Sequence, residues 1–142
     1  MVNAVLARRR RRFHWLYLPE KRFPFYRAGY YPAGGAVTVY LEKTIAPHAA
    51  LDAPRVRREA VDTLRRTGMI ESAGEILFLD LKRIPVSYVV FDRDWPRFVP
   101  PLLARLRRLR IRAIGRYGSW NYSSMADDIR MARETARELS GR

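Results

Sequence analysis

The stretch Gly115-Arg116-Tyr117-Gly118-Ser119-Trp120-Asn121-Tyr122-Ser123-Ser124-Met125 constrains this chain more than any other. It follows a short apolar run, Ile111 to Ile114, and leads into a helix that opens near Ser124. Ser124 and Asp127 have capping-box spacing, with Asp in place of the usual Glu or Gln. Met125, Ile129, Ala132, Ala136 and Leu139 then recur at helical spacing and form an apolar stripe. Strand, glycine-bearing turn and helix N-terminus in that order can build an anion site. Glycines admit a ligand close to the backbone, and the first-turn N–H groups point at it. The same order also suits a tight turn packed by its own aromatic residues. The residues alone leave both readings open.

Upstream, several short pieces read as strands. Val2 to Leu6 is β-like and ends at an arginine run. Phe13 to Leu18 is apolar almost throughout, which suits a strand covered on both faces. After a turn at Pro19 to Lys21, Phe23 to Tyr30 forms a second piece, with Pro24 near its start or on an edge. Pro32 to Gly35 is a loop, and Ala36 to Glu42 alternates Val37, Val39 and Leu41. These last three pieces predict an antiparallel meander. A loop over Ala46 to Ala53 leads to a helix from Pro54 to Thr67, stopped by Gly68, with Val56, Ala60, Val61 and Leu64 inward. Glu75 to Asp80 and Pro85 to Phe91 are β-like. A helix then takes in Trp95, Phe98, Val99, Leu102, Leu103, Leu106 and Leu109, and Pro100 and Pro101 either start it or kink it. The alternation of strands and helices in the later half predicts an α+β (mixed α/β) fold.

Of the 142 residues, 48% are hydrophobic, and a domain of this length buries about 68–70% of its unfolded surface. The core is therefore large enough for one domain. There is no cysteine, which excludes disulfides, thiolate metal ligands and thiol catalysis. No apolar run approaches the ~20 residues of a membrane span. Met1 to Ala7 is apolar before a basic run, the reverse of a signal peptide. These features predict a cytoplasmic protein with no membrane partner. The formal net charge is +14, and Arg8 to Arg12 are uninterrupted arginines beside Phe13, Trp15 and Tyr17. Basic residues interleaved with stacking aromatics are what a single-strand binder needs. Lys21, Lys43 and Lys82 are the only lysines, however, so the charge is almost all Arg. Such a skew suits a solvated surface written in a biased codon usage, and a nucleic-acid role stays the alternative.

The string G-R-Y-G-S-W-x-Y-x-x-M-x-D-x-I resembles the closing FAD-contact segment of the flavin amine-oxidase and protoporphyrinogen-oxidase superfamily, and within it the UDP-galactopyranose mutase branch. Phe23-Pro24-Phe25-Tyr26-Arg27 is similar to that family's x-P-Y-x-R strand. Ile84 to Asp92 resembles its Y-P-I-x-D strand, with Val89 where the pattern has proline. The likeness extends from about His14 to about Ala132. It implies residues 1–110 as a residual substrate-side sheet with helices, and 111–142 as the closing strand, turn and helix of a Rossmann-like FAD domain, the whole one compact fragment. It implies FAD as the cofactor of the intact protein, with Gly115, Arg116, Tyr117, Ser124 and Met125 along it. Arg27 and Tyr122 would then face a small-molecule substrate, such as a nucleotide-sugar, with Tyr122 on its diphosphate. The mutase pattern often has Asp two residues after that tyrosine, where this chain has Ser124.

An FAD enzyme of this kind also needs a βαβ unit with G-x-G-x-x-G. This chain has none, and its paired glycines, Gly34 and Gly35, read as a turn. The expectation is thus a C-terminal part of a flavoenzyme: a truncation, a mis-called start, or a small subunit completing a separately encoded Rossmann protein. Taken alone, the chain is expected to bind FAD weakly or not at all. Its side chains promise little catalysis of their own. His14 and His48 are the only histidines and have no ligand-spaced neighbours, so no metal site is assigned. Ser119, Ser123 and Ser124 lack a base nearby, and Asp92 and Asp94 read as helix caps. Poverty of this sort suits a flavoenzyme, whose cofactor carries the electron chemistry.

Overall fold

The computed structural model describes residues 1–46 and 48–141, so Pro47, within the expected loop, and Arg142, at the end of the expected closing segment, lie outside the described residues. The chain forms two compact units, Met1–Pro85 and Val86–Arg142.

The first unit is built on five antiparallel strands: β1 (Val2–Leu6), β2 (Trp15–Tyr17), β3 (Arg27–Ala33), β4 (Ala36–Glu42) and β5 (Ile76–Leu81), in the order β2-β3-β4-β1-β5. The expected meander is β2-β3-β4. The two-residue turn Gly34-Gly35 closes β3 onto β4, with Gly34 at φ +61, where a side chain would be strained. Period-two burial sorts the faces. Val2, Ala4 and Leu6 point the same way as Ala28, Tyr30, Val37, Val39 and Leu41, and all are buried. Helix α1 (Ala53–Arg66) covers that face with Val56, Ala60 and Leu64. Asp52 caps it by accepting from the Arg55 N–H, and Pro54 occupies its first turn. At the other end Gly68 (φ +67) donates to Arg65 O and Met69 N donates to Leu64 O, a Schellman stop that turns Met69 and Ile70 into the core. Each fully buried Leu of this set contributes about 1.5–3 kcal/mol.

In the second unit, α2 (Trp95–Arg108), a single helical turn α3 (Gly115–Gly118) and α4 (Met125–Ser140) follow one another. Of the two expected caps, Asp92 meets the start of α2, its Oδ1 accepting from the N–H groups of Asp94 and Trp95, while Asp94, at the N-cap position, makes no side-chain capping bond. The helix starts at Trp95 rather than at the prolines and continues past Pro100 and Pro101, forgoing the bonds their nitrogens would have donated to Pro96 O and Arg97 O. It ends in a second Schellman arrangement with Arg110, rather than glycine, at φ 60.

Two expected strands are not formed. Residues 85–91 and 111–114 have no ladder partner among the described residues, although Ile114 is fully extended at φ −125 and ψ 167. A strand is defined by its neighbour, and apolar alternation cannot supply one. The α4 stripe is likewise uncovered: Met125 is 85% exposed and Leu139 68%. The half-buried side of α4 instead carries Asp127, Asp128, Met131 and Thr135, polar but for the methionine.

Candidate functional site

Arg27 opens β3, in register with Glu42 on β4. Its Nη2 donates to both Glu42 oxygens, at 2.5 and 2.7 Å, while the Tyr26 hydroxyl donates to Glu42 Oε2 at 2.6 Å. The guanidinium also lies over the Trp15 ring, 4.9 Å from its centre. Both charges are mostly buried, so the pair is a charge-assisted clasp that holds Arg27 rigid and largely neutralised. It stands on the sheet face opposite α1, beside Trp15, Tyr31 and Tyr40. Tyr31 and Tyr40 stack at 5.8 Å, and Trp15 meets both rings edge-on. Burial first, then the Tyr31 hydroxyl, keeps the Tyr40 phenol above its ordinary range and therefore protonated.

The arginine run is partly consumed within the same unit. Arg10 pairs with Glu71 at 2.5 Å and Glu75 at 2.8 Å. Arg11 Nε donates to Thr67 O and its guanidinium lies against Gly68, at the negative end of α1. The backbone N–H groups of Arg10 and Arg11 both donate to the buried Tyr30 hydroxyl. Arg8, Arg9 and Arg12 remain on the surface.

In the second unit, the residues from Gly115 to Met125 form a tightly tied segment. Gly115 sits at φ +77 and its N–H points at Met131 Sδ, 3.3 Å away. Open space lies where a Gly115 Cβ would be, whereas one on Gly118 would come within 3.3 Å of the Ala113 backbone. Tyr117 donates its hydroxyl to Ser87 O at 2.8 Å, and Trp95 Nε1 donates to Trp120 O at 2.9 Å. Arg116 directs Nε and Nη2 at Ser123 O, the former at 3.0 Å, and its guanidinium lies 4.7 Å from the centre of the Tyr122 ring. Tyr88 stacks on Tyr122 at 6.3 Å. Ser123 is buried, and its hydroxyl donates to Asp128 Oδ1 at 2.5 Å.

The expected capping box is present. Ser124 Oγ accepts from Asp127 N, and Asp127 Oδ2 accepts from Ser124 N at 3.0 Å. Bonds from the Ser124 hydroxyl and backbone, then the Arg130 guanidinium, hold the Asp127 carboxyl below its usual range. Two carboxylates, Asp127 and Asp128, thus stand in the first turn of α4 and offset the positive end of its dipole. That end suits a neutral hydrogen-bond acceptor, met by the N–H groups of Met125 and Ala126, better than a phosphate. Beside it is a cleft of about 320 Å³ whose walls include Asn121, Tyr122, Asp127, Arg130 and Glu134.

Six of the seven candidate residues (Gly115, Arg116, Tyr117, Tyr122, Ser124 and Met125) therefore belong to one segment of the second unit, and Arg27 belongs to the first. Sequence reasoning weighed Ser123 only as a nucleophile and missed it as a buried tie point, held by Arg116 and Asp128. It also passed over Tyr88, which lies inside the quoted Ile84 to Asp92 motif.

No family model matches the chain, and no curated protein matches it. A solved structure does: the crystal structure of reduced UDP-galactopyranose mutase is similar at a TM-score of 0.76 and 15% sequence identity, over 99% of this chain and 33% of that one. The chain thus spans about a third of that protein's length. Its mixed α+β architecture, an antiparallel sheet followed by helices, is the fold of one third of UDP-galactopyranose mutase.

Proposed function

We propose that this chain supplies the substrate-side sheet and the closing FAD-contact segment of a flavoenzyme of the UDP-galactopyranose mutase kind. The observation that carries the reading is the likeness in fold over 99% of the chain to a third of that protein. Two independent signs support it. The string from Gly115 to Ile129 resembles the family's closing segment, and the apolar stripe of α4 has no cover among the described residues. In this reading residues 1–110 form part of the substrate wall and residues 111–142 complete an FAD domain whose G-x-G-x-x-G unit lies elsewhere, upstream or on a second chain.

The residues present fit the flavin better than the pyrophosphate. The open backbone at Gly115 and the two first-turn N–H groups of α4 offer close, uncharged contact, while Asp127 and Asp128 oppose an anion there. Of the five residues expected along the cofactor, Gly115, Tyr117, Ser124 and Met125 would line it, while Arg116 is turned to Ser123 and the Tyr122 ring; Arg27 and Tyr122 would line the substrate, with a nucleotide-sugar as its class. When bound, FAD supplies the electron chemistry that this chain's side chains lack. The test is co-purification. Expressed alone, the chain stays colourless in FAD; expressed with the G-x-G-x-x-G domain encoded beside it, it yields a yellow complex with one FAD. A stoichiometric yellow complex from the chain alone, or a colourless pair, overturns the reading.

A further inference from the structure

We infer that Arg116 is a positioning residue: it holds the 119–124 loop and the Tyr122 ring in place, and bears on a ligand through Tyr122. The inference rests on the proposed reading only for what Tyr122 contacts. In Arg116 the edge carrying Nε and Nη2 is bound to the Ser123 carbonyl and one flat face lies on the Tyr122 ring, so the guanidinium ties the loop and the ring to each other.

Ser123 is buried and immediately precedes the N-cap of α4, so a clamp on its carbonyl fixes how the loop enters the helix. The Ser123 hydroxyl, bound to Asp128, ties the same point from the helix side. Tyr122 is 61% exposed, and its named ring contacts are Arg116 and Tyr88. Without Arg116 the ring loses its cation–π contact and the loop loses its carbonyl clamp. Lysine cannot replace it, because a single ammonium does not present two N–H bonds in a plane that also stacks on a ring.

The test uses the 142-residue chain with labelled Arg and Tyr, read by NMR. The Arg116 Nε–H is expected to exchange slowly and to carry a ring-current shift. Tyr122→Phe keeps that signature and Tyr122→Leu removes the shift. Arg116→Gln and Arg116→Lys are both expected to mobilise the Tyr122 ring while the signals of residues 1–85 stay in place. A Tyr122 ring that remains ordered in either Arg116 variant overturns the inference. UDP then serves as the probe ligand. Arg116→Gln should weaken its binding about tenfold, and Arg116→Gln with Tyr122→Leu should be no weaker than Tyr122→Leu alone. Losses that add would mean Arg116 touches the ligand itself, which contradicts the inference. If UDP binds to neither wild type nor variants, the diphosphate role proposed for Tyr122 fails, while the ring measurement still decides what Arg116 does.

Discussion

Gly29 sits mid-strand in β3, where glycine ordinarily weakens a sheet. The Tyr40 ring lies across it from β4, so close that a Cβ at 29 would stand 2.3 Å from two ring carbons. The packing of the Tyr40 ring across β3, stacked on Tyr31 and edge-on to Trp15, depends on that absent methyl. Gly29→Ala is expected to cost about 1–3 kcal/mol, as overpacking does, and the loss should shrink when Tyr40→Ala is added. Urea unfolding of the three variants checks both statements. Glu75 gives a prediction of another kind. Its carboxyl is held down to about 2, from an ordinary 4.5, by the Arg10 hydrogen bond first and then by the backbone N–H groups of Glu71 and Ser72. A depressed folded-state value means the stabilisation is fully present above pH 4.5 and is lost as pH falls toward 2. Glu75→Gln should flatten that window in a melting-temperature profile and leave the slope above pH 6 unchanged.

At the scale of elements, what could be read from the sequence divides cleanly. The strands β1 and β4 and helix α1 were legible because each carries its own signal: apolar alternation, or a first-turn proline and a stopping glycine; β5 was legible only as a β-like apolar run, since its burial does not alternate. The pieces 85–91 and 111–114 have equally apolar sequences but no partner strand, and a sequence pattern does not say which edge will pair with it. The same holds for α4. Its N-cap and start were readable; which side would be covered was not, since the half-buried side carries Asp128 and Thr135. The two helices should therefore respond oppositely to core-style mutation. Leu64→Ala in α1 is expected to cost about 2–5 kcal/mol. Ile129→Glu on the exposed α4 stripe should stay within about 0.5 kcal/mol of wild type and raise solubility. Thermal unfolding and a solubility limit measured side by side distinguish them; a large loss at Ile129 would mean the stripe is covered in solution.

Across the whole molecule, charge and motif give competing signals, and the structure weighs them. The net charge of +14 pointed toward nucleic acid, yet Arg10 and Arg11 of the basic run are engaged with Glu71, Glu75 and the end of α1. The candidate site was legible as a string and as a capping box. The tertiary bonds that shape it, from Arg116 to Ser123, Trp95 to Trp120 and Tyr117 to Ser87, join residues that no local pattern links. A set of uncovered apolar surfaces on α2, α4 and residues 111–114 is the property that a missing FAD domain would account for. The most direct measurement is to sequence the coding DNA upstream of the Met1 codon and translate all three frames. The account predicts a G-x-G-x-x-G coding stretch there, in frame, frameshifted or as an adjoining reading frame. Unrelated sequence across that region would contradict it.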